Sequence, residues 1–149
     1  MKIDKVKVDD IDLRIVDLLK KNGRVQNNEI ASQLNISEGT VRNRIKKLID
    51  SNFLTIRGLI NPCLIRDKMI IFLGIQLSDA NRLEKAAEEI TAFKEVISVY
   101  MVTGRYDLMV ELFIEPPELL TFLSEELAAV QSITSTESFV TLKPYKKWL

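Results

Sequence analysis

The chain has 149 residues, 46% of them hydrophobic, and its 21 basic residues balance 21 acidic ones. That length and apolar content suit one ordinary domain or two small ones and exclude a disordered chain. With no histidine and a single cysteine, Cys63, the sequence cannot build Ser-His-Asp or Cys-His catalysis, an intrachain disulfide or a usual metal site. No phosphate-cradling glycine motif occurs among its five glycines. No catalytic residue, metal or cofactor is therefore expected. The longest apolar run, Met69 to Ile75, is far short of a membrane span, and Met1 to Lys5 carries no apolar core of a secretory signal. A cytoplasmic protein without membrane association is expected.

In chain order, Asp10 to Lys20 has apolar residues at 11, 15, 18 and 19, the spacing of an amphipathic helix, and Asn22-Gly23 offers a left-handed-tolerant end. A second helix is expected from a cap at Asn27 or Asn28 to near Leu34. After a turn of three residues, Ser37 caps a third helix running to about Asp50. Winding that third helix puts Val41, Ile45, Leu48 and Ile49 on an inward stripe. Gly39, Thr40, Asn43 and Lys47 lie opposite, flanked by Arg42, Arg44 and Lys46. Four of the six residues from 42 to 47 are cationic, and nothing acidic interrupts them.

Two short helices with a strongly basic second one, supported by a third, form the layout of a helix-turn-helix that reads double-stranded DNA. Asparagine can pair bidentately with adenine and threonine can touch a thymine methyl, so Thr40 and Asn43 are assigned to bases. Arg42, Arg44, Lys46 and Lys47 are assigned to the phosphate backbone. Charge asymmetry supports this reading. Residues 1–60 hold 12 Lys or Arg against 8 Asp or Glu, a net +4, whereas residues 61–149 hold 9 against 13, a net −4.

Beyond the connector from Thr55 to Asp67 the pattern changes. Met69 to Leu77 reads as a strand, Asn81 to Thr91 as a helix, and Val96 to Thr103 and Leu108 to Ile114 as strands about the turn Gly104-Arg105-Tyr106-Asp107. A helix then begins at Pro116-Pro117 and runs to about Val130, and Thr134 to Leu142 alternates as a last strand. The order β-α-β-β-α-β folds as a four-stranded antiparallel sheet with both helices on one side. Ile71, Leu73, Ile75, Val99, Met101 and Val110 supply more apolar strand surface than two helices readily cover, so a second copy is expected to pack on the open face. Such a two-fold dimer would set its recognition helices about 34 Å apart, one duplex turn.

From about Val8 to Lys143 the chain resembles the Lrp/AsnC, or feast/famine, transcription regulators. Three motifs carry the resemblance: Val8-Asp9-Asp10-Ile11-Asp12 with Asn22-Gly23-Arg24; Ile36-Ser37 through Val41 with Arg44-Ile45-Lys46-Lys47-Leu48; and Val102-Thr103-Gly104-Arg105-Tyr106-Asp107. The resemblance implies an α+β protein: an N-terminal winged helix-turn-helix of three helices over residues 1–53, a hinge strand and connector over 54–67, and a C-terminal βαββαβ ferredoxin-like α/β sandwich over 68–149. It further implies a homodimer assembling to an octamer, and a small-molecule effector, usually an amino acid, bound between dimers. Carried over to this sequence, Gly104, Arg105, Tyr106 and Asp107 would line the effector site with Thr136 and Ser138. Asp107 would pair with an α-ammonium while turn amides and hydroxyls hold a carboxylate. Arg105 would either point inward or pair with Asp107. An architectural DNA-binding protein without sensing is the alternative. An enzyme subunit of the sirohaem decarboxylase type is disfavoured, because the histidines implicated there are missing here.

Overall fold

A computed structural model describes residues 7–145 and 147–149; the stretch Met1 to Lys5, read above for a leader, lies outside them. The chain divides into two compact units, Met1–Gly58 and Leu59–Leu149.

The first unit contains α1 (Asp10–Lys21), α2 (Asn27–Leu34) and α3 (Glu38–Asp50). A reciprocal capping box starts α1, in which Asp9 accepts from the Asp12 amide at 2.9 Å and Asp12 from the Asp9 amide at 3.2 Å. The helix does not end on a left-handed pair: Asn22 is extended, with φ −147°, and its side chain accepts from the Arg24 amide in an Asx turn instead. Gln26, rather than Asn27 or Asn28, precedes α2 and makes no side-chain cap, while Asn35 closes that helix in the left-handed conformation with φ 54°. Ser37 caps α3 as the sequence implies, accepting from the Thr40 amide at 3.1 Å.

Ile15, Ile30, Val41 and Leu48 are wholly buried, and Ile11, Leu34, Ile45 and Leu54 pack around the core formed by the first three with Leu19 and Ala31. Each such aliphatic side chain contributes roughly 1.5–3 kcal/mol. Ile49 departs from its expected place and is 41% exposed. Eight residues on from Val41 it has turned about 80° away, to the margin of the stripe. No strand forms in the expected hinge and connector over 54–67. A strand needs a neighbouring segment to pair with, and among the described residues only Ile60 has one, exchanging main-chain hydrogen bonds of 2.7 and 3.0 Å with Leu149.

The second unit is the split βαβ plan: β1 (Met69–Leu77), α4 (Leu83–Thr91), β2 (Val96–Met101), β3 (Leu108–Ile114), α5 (Glu118–Thr121) and β4 (Ile133–Val140). Beyond Thr121 the α5 segment widens into π winding over Phe122–Glu126 and tightens again over Leu127–Ala129. The antiparallel sheet has the order β2-β3-β1-β4.

Register corrects one expectation about the sheet. Ile71, Leu73, Ile75 and Val110 are wholly buried in the core beneath α4 and α5, with Val99 packed against them. They do not form the open face. Because side chains alternate along a strand, that face belongs to the intervening residues Phe72, Gly74, Met109, Glu111 and Phe113, with Tyr100 and Phe139 from the edge strands.

Candidate DNA and effector sites

On α3 the residues singled out for DNA divide by environment. Asn43 and Lys46 are exposed, and neither side chain has a hydrogen-bond or ion-pair partner among the described residues. Arg42 is also exposed and pairs with Glu38 at 2.9 Å, one helical turn back. Thr40 is half-buried, its hydroxyl 2.8 Å from that of Ser37 at the cap.

Arg44 behaves differently from its cationic neighbours. Its Nη1 donates to Asp9 at 2.7 and 2.8 Å and to Asp12 at 2.7 Å, and the Asp12 side chain is wholly buried. The guanidinium holds the Asp9 carboxyl below the usual carboxylate range, reinforced by the Asp12 amide, and the two acids in turn raise Arg44. A buried carboxylate needs such a partner, so this cation ties α3 to the start of α1 instead of standing free for phosphate. Lys47 leans the same way, donating to the Lys7 carbonyl at 3.0 Å with its ammonium 3.9 Å from Asp12, although half of its side chain stays exposed. The sequence signal for this arrangement was the acidic opening Asp9-Asp10-Ile11-Asp12, which local periodicity places in the cap and does not connect to residue 44.

In the second unit the turn after β2 depends on Gly104, whose φ of +118° is disfavoured for a residue with a side chain. Asp107 closes the turn through its carbonyl, which accepts from the Val102 amide at 3.1 Å. Its carboxylate Oδ2 accepts from the Leu77 amide at 2.7 Å, at the irregular end of β1. Gln76 fixes the turn from the side by donating to the Arg105 carbonyl at 2.8 Å. Arg105 pairs with Glu137 at 3.4 Å, not with Asp107, and remains largely exposed.

Glu137, which the sequence reading passed over, also accepts from the Tyr106 hydroxyl. It lies opposite Gly74 in the register, and the Tyr106 ring occupies the space that a side chain on Gly74 would need. Thr136 and Ser138 pair instead with Ile75 and Leu73, which face the helices. Within one protomer the strand's alternation therefore separates these two hydroxyls from the Tyr106–Glu137 cluster. Thr136 lines a small cavity with Leu123, Leu127 and Ile133 on the helix side.

A helix-turn-helix with a basic second helix in one unit and a four-stranded α/β sandwich in the other are the layout of a two-domain helix-turn-helix regulator. Comparison with known proteins gives the same class. Residues 8–55 match the winged helix-turn-helix DNA-binding family, and residues 70–148 match the Lrp/AsnC ligand binding domain. The chain is 32% identical over 146 residues to an uncharacterised helix-turn-helix transcriptional regulator of Pyrococcus horikoshii, covering 97% of this chain and 91% of that one. The solved structure of E. coli AsnC superposes with a TM-score of 0.74 at 26% identity, covering 93% of this chain and 95% of that one. A Neisseria meningitidis transcriptional regulator, solved as an L-Met complex, shares the fold with a TM-score of 0.76 at 22% identity, over 95% of this chain and 94% of that one. The protein belongs to the Lrp/AsnC family of transcriptional regulators. No helix among the described residues is long and apolar enough to cross a membrane.

Proposed function

We propose that this regulator binds a specific duplex sequence through α3 and changes its DNA affinity when a small amino acid occupies the region of the Gly104 turn. Thr40 and Asn43 meet base edges, and Arg42, Lys46 and Lys47 meet phosphates. Arg44 is assigned to holding α3 against α1. The observation that carries the DNA reading is the exposed pair Asn43 and Lys46, without partners among the described residues, on a helix held by Arg44 to buried Asp12.

The sensing reading is supported by the ligand-binding-domain match and by Asp107, whose Oδ2 is held by the Leu77 amide while its Oδ1 takes no hydrogen bond among the described residues. An α-ammonium beside that oxygen, with a carboxylate on the turn amides near Gly104, is the binding mode. Arg105 and Tyr106, turned toward Glu137, form its wall. Thr136 and Ser138 reach such a ligand from a neighbouring dimer. The L-Met described for the structural neighbour fits an amino-acid effector.

The open sheet face carries Phe72, Met109, Phe113, Tyr100 and Phe139, the last two 50% and 43% exposed, and it forms a homodimer interface. Further association to an octamer is what the family resemblance implies, and a cytoplasmic location is proposed with it. Sedimentation of the full chain at micromolar concentration tests the assembly: a monodisperse monomer contradicts it. Melting temperature measured against each standard amino acid tests sensing, since a ligand at 100 times its Kd stabilises the fold by about 2.7 kcal/mol.

A further inference from the structure

At the end of the β2–β3 hairpin opposite the Gly104 turn, about 20 Å away along the strands, lies a cavity that the regulatory reading leaves unused. It has a volume of about 290 Å³ and is lined by Lys94, Glu95, Ile114, Glu118, Thr121, Phe122 and Glu126. Glu95 is only 7% exposed, and its Oε2 is a buried oxygen with no hydrogen-bond partner among the described residues. Its other oxygen takes the Lys94 ammonium at 3.3 Å, from a side chain that is 82% exposed and does not reach Oε2. An unpartnered buried carboxylate is costly, and such groups in folded proteins call for an explanation.

The surroundings supply one. Three carboxylates against one ammonium leave two negative charges unbalanced. Their field is felt at Lys94, whose proton affinity is raised first by Glu95 and then by Glu118 and Glu126. The acids are too spread out for an inorganic ion: no group of three potential ligands with metal-holding spacing occurs among the described residues. Between them stand the apolar walls Ile114 and Phe122, both about 1% exposed. Phe122 and Glu126 bound the π-wound part of α5, a distortion frequently found at functional sites.

We infer that this cavity is a second ligand site, separate from the Gly104 turn, for a small organic dication of the linear alkyl diamine class. One ammonium takes Glu95 Oε2, the alkyl stem lies along Ile114 and Phe122, and the second ammonium sits between Glu118 and Glu126. Separated carboxylates with an apolar span between them match two charges joined by a hydrocarbon chain better than a point charge.

The test is calorimetric titration of the full-length protein with 1,4-diaminobutane at fixed ionic strength, with n-butylamine and magnesium chloride as comparisons. The wild type should bind the diamine saturably, one per protomer, and more tightly than either comparison. Glu95→Gln should weaken binding at least about tenfold, the loss of one charge-assisted contact. Glu118→Gln combined with Glu126→Gln, both at the cavity mouth, should do so without altering the fold. Asp107→Asn should leave it intact. No saturable heat in the wild type overturns the inference, as does tighter binding of magnesium. So does diamine binding that survives both sets of glutamate substitutions. A Glu95→Gln protein that is merely more stable, from a wild type that ignores the diamine, would mark Glu95 as an ordinary buried acid.

Discussion

The Tyr106 ring lies so close to the backbone of Gly74 that a Cβ on Gly74 would stand 2.7 Å from two of its ring carbons. The ring also meets Phe139 edge-on, with centroids 6.1 Å apart, and its hydroxyl ends on Glu137. Gly74 thus sets the wall of the proposed effector site. Gly74→Ala should displace the ring and destabilise the protein by about 1–3 kcal/mol through overpacking. Removing the ring with Tyr106→Ala in that background should recover part of the loss, a non-additivity readable in urea unfolding. Additive losses would show that the two residues do not compete for the same space.

Arg44→Ala should act as a folding defect. It strips the buried Asp12 of its hydrogen-bonded ion-pair partner and leaves it only the more distant Lys47, and breaking a buried pair costs on the order of 3 kcal/mol. Circular dichroism melting of the variant checks this. An unchanged melting temperature together with weakened DNA binding would return Arg44 to the phosphate-contacting set.

The second acid held by Arg44, Asp9, gives a pH dependence with a definite sign. Hydrogen bonding from Arg44, then from the Asp12 amide, lowers the Asp9 pKa below the usual 3.8. A carboxyl whose folded pKa is depressed stabilises the fold fully above its unfolded value, and that contribution is lost as pH falls through the lower folded value. Wild type should therefore lose stability on acidification below about pH 4 more steeply than Asp9→Asn. Parallel profiles for the two proteins, in urea midpoints from pH 6 to 2.5, would contradict the assignment.

On DNA, Asn43→Ala should relax base preference by about 1–3 kcal/mol at one position per half-site. Lys46→Ala should weaken all sequences alike and reduce the salt slope by about 1. Competition binding against randomised duplexes separates the two. Equal losses on specific and random DNA for the Asn43 variant would remove it from base reading.

Local chemistry made most elements readable in advance. The Ser37 cap, the α1 apolar spacing and the limits of β1 and β3 agree with the structure to the residue, because each depends on neighbours within a few positions. What escaped the sequence is non-local. Arg44 meets acids 35 and 32 residues away, so its helix face looked as cationic as that of Lys46. The face occupied by Thr136 and Ser138 depends on the β1–β4 register, which places Glu137 over Gly74 in their stead. Of the apolar strand residues expected to call for a second copy, Ile71, Leu73, Ile75, Val99 and Val110 belong to the helix-side core, and Met101 is half exposed. Composition does not distinguish the two faces of a strand unless the helix-facing phase is known.

The central claim, that an amino acid at the Gly104 turn governs DNA binding, is tested most directly by titrating a selected duplex with wild type and Asp107→Asn at fixed salt, with and without the amino acid that raises the melting temperature most. Asparagine keeps an acceptor for the Leu77 amide while removing the charge offered to an α-ammonium. The account predicts a change in wild-type DNA affinity of roughly 5- to 150-fold at saturation, with DNA altering amino-acid affinity reciprocally. It predicts little or no response in Asp107→Asn, whose ligand-free DNA affinity should match wild type. A wild type whose DNA affinity no amino acid changes, or a full response surviving in Asp107→Asn, would contradict it.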